Sequence, residues 1–186
     1  VPMLSLNPSE ADLLQMINDS GVYDKIIVLI NSVYPLELDW LDDYNVDACL
    51  WMGNPGYYGL PGVVNILTGA ANPSGRLVDT YAADSLSSAA MQNFGEYRFA
   101  NGDNLPSYSN RYVVYQEGIY VGYKYYETRY EDCILGQGNA GGTAGMFAST
   151  GDGWNYADEM CYPFGYGLSY TTFTQTLDSV EYDEAC

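Results

Sequence analysis

Glu117 stands directly before Gly118, and Tyr166 stands between Gly165 and Gly167. Glycines on both sides could leave the flat, hydroxyl-bearing Tyr166 ring facing a ligand, and the carboxyl beside Gly118 is the acid to weigh for such a role. The carboxyl would serve as a hydrogen-bond acceptor or an acid/base, and the ring as a stacking surface. Each has a structural alternative. Glu117 can pair with Arg76, Lys124 or Arg129 and orient a turn, while Tyr166 can pack as its two glycines let a terminal strand enter a crowded sheet edge. Asp39, Asp42, Asp43, Asp178, Glu181, Asp183 and Glu184 read as solvated acidic faces, and no catalytic residue is assigned among the acids.

Other chemistries are excluded by what the chain lacks. It has no histidine, so neither a Ser-His-Asp nor a Cys-His mechanism can be built from it alone. Cys49, Cys133, Cys161 and Cys186 show no C-x-x-C spacing, which argues against a zinc site. Cys49 lies in an apolar run and reads as a reduced core residue, and Cys133 with Cys161 could bridge only in an oxidising compartment. With 24 acidic against 6 basic residues the net charge of −18 repels phosphate backbones and anionic headgroups, making nucleic acid and membrane poor partners. No stretch approaches the roughly 18 apolar residues of a membrane span, so the chain reads as soluble. It begins at Val1 without a signal-like segment, and the true N-terminus is expected to be missing or processed. Twenty tyrosines supply flat faces with polar edges, which suit a neutral polyol and equally an interdomain contact.

The elements that must position these residues centre on 46–81. Val46, Ala48, Cys49, Leu50 and Trp51 form an apolar strand, followed by Gly53, Gly56, Gly59 and Gly62, a helical stretch, and the turn Asn72-Pro73-Ser74-Gly75-Arg76-Leu77. That is one β-loop-α step. The Gly-x-x-Gly spacing, with Pro55, Tyr57, Tyr58 and Pro61 and no lysine, matches neither a dinucleotide fingerprint nor a P-loop. Upstream, Asn7-Pro8-Ser9-Glu10 reads as a capping box and Gly21 as the helix end, with Leu13, Leu14, Met16 and Ile17 as the buried stripe. Residues 25–30 read as a strand covered on both faces; Pro35 then opens a short helical segment through Trp40 and Leu41. Residues 82–111 read as a lid-like insertion or a poorly ordered loop, and 136–153 as a second flexible loop. Between them, Val113, Tyr115, Ile119, Val121 and Tyr123 alternate around Gly118 and Gly122. In the turn at 72–77, Gly75 is expected to hold a conformation that a β-carbon would strain.

Three segments are specific enough to carry a resemblance: 72–77; Glu117-Gly118-Ile119-Tyr120-Val121-Gly122-Tyr123-Lys124-Tyr125-Tyr126; and Pro163-Phe164-Gly165-Tyr166-Gly167-Leu168-Ser169-Tyr170-Thr171-Thr172-Phe173. In this order, and together with 25–36 and 47–80, they resemble the C-terminal α/β sandwich domain of family 3 glycoside hydrolases, the β-glucosidase-like enzymes. The chain departs from the family at Gly56-Tyr57-Tyr58-Gly59-Leu60, where Gly-Gln-Glu-Gly-Gly is common, and at Lys124, where Arg is common.

The resemblance implies an α/β layered sandwich with a largely parallel central sheet and helices on both faces. It would span 1–173, with long loops near 82–111 and 136–153, and 174–186 as an acidic tail or the start of a following segment. It also implies part of a retaining, exo-acting β-glycoside hydrolase that completes an active-site cleft beside a (β/α)8 barrel, its partner in the same parent. The substrate would be a β-linked saccharide, touched by Tyr166 and Glu117. The nucleophilic Asp would belong to the barrel and the acid/base Glu to a loop before Val1, leaving this chain inactive alone. No metal or organic cofactor is implied, and location stays open between bacterial cytoplasm and secretion. The competing readings are a non-catalytic carbohydrate-binding or scaffolding module of the same fold and a regulatory nucleotide-binding domain.

Overall fold

A computed structural model describes residues 3–106, 109–142 and 153–182. Its architecture is mixed α/β. Helix α1 (Pro8–Ser20) starts as the capping box requires: the Asn7 side chain accepts from the Ser9 and Glu10 amides at 3.0 and 3.1 Å, and the Glu10 carboxyl accepts from the Asn7 amide at 3.1 Å. Gly21 ends it in the left-handed conformation. The expected stripe is only half buried, since Leu14 and Ile17 turn inward while Leu13 and Met16 stay exposed.

Strands β1 (Ile27–Ile30) and β2 (Ala48–Trp51) pair in parallel, with Ile27 opposite Ala48 and Ile30 opposite Trp51. Side chains clamp the pair at both ends. At its start the Asp47 carboxylate accepts from Lys25 Nζ at 2.6 Å and from the Ile26 amide at 2.8 Å, and the lysine contact holds its pKa below the usual carboxylate value. At its end Trp51 Nε1 donates to the Ser32 carbonyl at 2.8 Å. A 3-10 turn, Asp39–Leu41, supplies the short helical segment expected after Pro35. The large, largely parallel central sheet is not found: among the described residues this pair is the one parallel contact, and the other two sheets are antiparallel pairs. Nor is β1 covered on both faces. Val28 and Ile30 pack inward, but Ile27 and Leu29 are 50% and 41% exposed, because nothing among the described residues covers their side of the pair. Cys49, expected in the core, is exposed on the neighbouring strand.

After α2 (Leu60–Leu67), a two-residue strand β3 (Tyr81–Ala82) does most to organise the core. Successive strand residues face opposite ways, so Tyr81 joins a cluster with Ile30, Leu38 and Leu41, while Ala82 joins one with Tyr126 and Trp154. The insertion at 82–111 is more structured than a loop. It holds a 3-10 turn (Ser85–Ser87), α3 (Ala89–Gln92), and a hairpin of β4 (Tyr97–Arg98) with β5 (Arg111–Tyr112), on which Tyr97 and Phe99 lie against the Tyr112 ring. The alternating stretch that follows is not extended to its end, because α4 (Tyr123–Leu135) begins inside it. Of the loop expected at 136–153, residues 143–152 lie outside the described residues. The short helix α5 (Tyr156–Glu159) leads into β6 (Met160–Tyr162), which pairs antiparallel with β3, Tyr81 opposite Tyr162 and Ala82 opposite Met160. Cys161 and Cys133 are separate thiols, the first beside Leu38 and the second against the Tyr126 cluster. No helix among the described residues is long and apolar enough to cross a membrane.

Tyr126, 4% exposed, shares a 2.8 Å hydrogen bond with the Ser87 hydroxyl, and burial pushes its phenol from 10.0 up to about 12. Burial likewise raises Tyr81 to about 12. Above the unfolded value the unfolded chain loses these protons and the folded chain keeps them, so this stability is complete below pH 10 and is lost as pH rises through about 12. Urea unfolding should show a constant midpoint from pH 8 to 9 and a falling one above 10. Tyr126→Phe should lose about 0.5–1.5 kcal/mol at neutral pH and show a shallower alkaline fall.

Candidate functional site

The three sequence segments singled out above meet in space around residues 72–79. Leu77 exchanges both backbone bonds with the last of them: its amide donates to the Tyr166 carbonyl at 2.8 Å, and its carbonyl accepts from the Gly165 amide at 2.9 Å. Asn72 holds the same segment further along, its side-chain oxygen accepting from Ser169 Oγ at 2.8 Å and from the Tyr170 amide at 2.9 Å. Its amide nitrogen donates to Thr171 Oγ1 at 2.6 Å. Arg76 Nη1 donates to the Gly167 carbonyl. The middle segment is tied in through Asp79. Helix α4 has no capping side chain of its own at Gly122, and Asp79 Oδ1 takes that place, accepting from the Tyr123 and Thr80 amides at 2.8 Å each. The triangle closes where the Tyr123 and Phe164 rings stack, 4.2 Å apart and 18° from parallel.

Tyr166 is therefore part of a turn, not of a terminal strand, since β6 ends at Tyr162. Its ring is 38% exposed and lies 4.9 Å from the Tyr162 ring. Glu117 sits elsewhere, in the wall of an open cavity of about 460 Å3 beside α4 that Tyr166 does not line. The expected pairing of Glu117 with Arg76, Lys124 or Arg129 is not made. Its Oε2 is buried without a hydrogen-bond partner. Arg76 turns to Gly167 instead, and Arg129 spans loop carbonyls: Nε to Ala140 at 2.7 Å, Nη2 to Gly142 at 2.7 Å, and Nη1 to the Tyr125 hydroxyl at 2.8 Å. Its guanidinium also lies 4.6 Å from the centre of the Trp154 ring. Among the described residues no group of three or more His, Cys, Asp or Glu could hold a metal ion.

Comparison with known proteins settles the family. Residues 2–123 match the glycosyl hydrolase family 3 C-terminal domain. The chain belongs to that family. It is 27% identical to a β-glucosidase of Ruminococcus albus over 180 residues, covering 96% of this chain and 15% of that protein. It is 30% identical to β-glucosidase A of Butyrivibrio fibrisolvens over 169 residues, covering 90% and 16% respectively. Among solved structures it is similar to a β-glucosidase from Paenibacillus barengoltzii, with a TM-score of 0.65 and 26% identity over 95% of this chain and 15% of the other. The chain thus spans about 15% of the length of these relatives. The family 3 match takes in 72–79 and Glu117 but stops at Tyr123, so the body of α4, with Arg129, and the turn at 163–171 lie beyond it.

Sequence reasoning missed Asp79 and gave Arg129 the wrong partner, since it holds the Ala140 and Gly142 carbonyls and not Glu117. A helix opening on Gly122-Tyr123, with no Ser, Thr, Asp or Asn to cap it, was the available sign that an acid elsewhere must do so. It also misplaced the glycine that matters. Gly75 has ordinary backbone angles and open space where a β-carbon would stand, whereas a β-carbon on Gly167 would collide with the Gly75 carbonyl and lie 2.9 Å from Arg76 Nη1. Gly122 combines φ of +57° with Asp79 Oδ1 at 2.5 Å from the same position. Gly167→Val and Gly122→Ala should each cost about 1–3 kcal/mol, Asp79→Ala about 0.5–2, and Gly75→Ala no more than about 0.5. Urea denaturation of the four variants measures all of these.

Proposed function

We propose that the chain is part of a retaining, exo-acting β-glycoside hydrolase of the β-glucosidase type, in which it completes the active-site cleft beside a (β/α)8 barrel of the same parent. The observation that carries this reading is the alignment of proteins named β-glucosidases over 90% or more of the chain. Retaining hydrolysis needs two carboxyl groups about 5–5.5 Å apart, one to attack the anomeric carbon and one to protonate the leaving oxygen. In this reading the aspartate nucleophile comes from the barrel and the acid/base glutamate from a loop outside residues 1–186. The chain's share is to bind and orient a β-linked saccharide, with Tyr166 and Glu117 as its contacts.

The same reading accounts for a set of exposed apolar side chains. Ile27 and Leu29 on β1 and Leu60, Val64 and Leu67 on α2 remain exposed, and among the described residues β1 and β2 each keep one unpaired edge. Strands and helices from the rest of the parent would extend the pair into a largely parallel sheet with helices on both faces, with 1–173 as this chain's share of the domain and 174–186 as an acidic tail or the start of a following segment.

The purified 186-residue chain should leave p-nitrophenyl β-glucoside uncleaved above the buffer blank, while the full reading frame that contains it should cleave the same substrate with net retention by NMR. Turnover by the chain alone, abolished by changing one of its acids, would overturn the assignment of the catalytic carboxylates. A full-length protein that folds but hydrolyses no β-glycoside would overturn the reading itself.

A further inference from the structure

The cavity that holds Glu117 is separate from the knot around residues 72–79, and its chemistry restricts what it can hold. Its volume of about 460 Å3 falls within the roughly 300–1,000 Å3 typical of small-molecule sites. Gln116, Tyr120, Thr128, Gln137 and Asn139 contribute amides, hydroxyls and a half-exposed ring to its wall. Glu117 belongs to the same wall, and its Oε2 is buried with no partner among the described protein groups. With no protein donor on this oxygen, the Glu117 carboxyl is a charged acceptor in the cavity wall.

Charge then narrows the ligand. Glu117 and Asp132 in the wall disfavour an anion, as does the chain's net charge of −18. The Arg129 guanidinium in the same wall disfavours a cation, and its hydrogen bonds to Ala140, Gly142 and Tyr125 hold it in place instead of turning it towards Glu117. A purely apolar ligand would leave the Glu117 oxygen as it is. What remains is a neutral molecule carrying several hydroxyls, which can donate to Glu117, accept from the side-chain amides and lay a flat C–H face on Tyr120.

We infer that this cavity is a saccharide subsite within the chain itself, in which Glu117 accepts a sugar hydroxyl. The ligand class rests on the glycosidase reading above, whereas the site needs no barrel. The test is therefore equilibrium binding to the 186-residue chain, by saturation-transfer NMR and calorimetry, with D-glucose and cellobiose as probes and glucose 6-phosphate and calcium chloride as charged comparisons. The neutral sugars should bind and the charged probes should not. Glu117→Gln, which replaces an acceptor oxygen by a donor, should weaken sugar binding about tenfold, the factor carried by one such hydrogen bond. Gln137→Ala, at the exposed rim, should weaken it as well, and Tyr58→Ala, outside the cavity, should not. If Glu117→Gln fails to fold, Gln137→Ala decides. No sugar binding by the folded chain, binding indifferent to both cavity variants, or Glu117-dependent calcium binding would each overturn the inference. Hydrolysis by the full-length protein without binding to this chain would remove the subsite and leave the glycosidase reading standing; binding here without hydrolysis there would do the reverse.

Discussion

The two hydrogen bonds exchanged between Leu77 and the Gly165–Tyr166 turn are the contact on which the other ties depend. They join residues nearly ninety positions apart, so closing them orders a long stretch of chain at an entropic cost that one neutral bond would not offset. The neighbouring contacts supply what is lacking. Once Leu77 is paired, Asn72, two turns of extended chain away, reaches Ser169, Tyr170 and Thr171 without further loop closure. On the other side Asp79 arrives at the start of α4. Gly167 and Gly122 are the positions where this convergence leaves no room for a β-carbon.

Energetically the fold is two small cores with a shared wall. The β3–β6 pair is only two residues deep on the β3 side, yet its alternation sends Tyr81 and Tyr162 to one cluster and Ala82 and Met160 to the other. A register shift between Tyr81 and Ala82 accommodates the extra residue on β6. Neither core is large, and aromatic residues make up for it. Tyr126 and Trp154 bury wide faces, with Tyr126 keeping its hydroxyl bonded to Ser87, so a polar atom enters the core with a partner. The start of the insertion at 82–111 is thereby tied to the second core through Ser87.

How much of this the sequence disclosed depends on how local the determining forces are. The capping box at Asn7 and Glu10 and the strands around Ile27 and Ala48 are short-range patterns, and they were legible. The three specific segments were legible as units, but not the partners within them. Arg76 and Glu117 seemed natural partners because opposite charges are scarce in so acidic a chain; in space Arg76 meets a carbonyl and Glu117 none of the cations. Gly75 drew attention through its turn-like neighbours, while the steric demand falls on Gly167, to which the turn returns after ninety residues. Helix α4 was hidden by its tyrosines and by the alternation leading into it, since its cap comes from Asp79, 44 residues earlier. The large parallel sheet was an expectation about the family, and the described residues hold a single parallel pair.

With six cations for 24 acids, the uses to which the cations are put are informative. Lys25 is taken by Asp47, and Arg98 and Arg111 both lie against Glu96. Arg76 and Arg129 instead bind backbone carbonyls in irregular chain, at Gly167 in one case and at Ala140 and Gly142 in the other. A guanidinium presents several donors in a fixed plane, so it can satisfy two carbonyls of one loop at once, which an ammonium on a flexible stem does less well. Loops without helix or strand bonds leave carbonyls that must be satisfied, and the long glycine-rich connections of this chain create that demand. With two of its six cations holding loops, the chain leaves most of its 24 acids to water, to helix ends as with Asp79, or, at Glu117, with an oxygen that no described protein group serves.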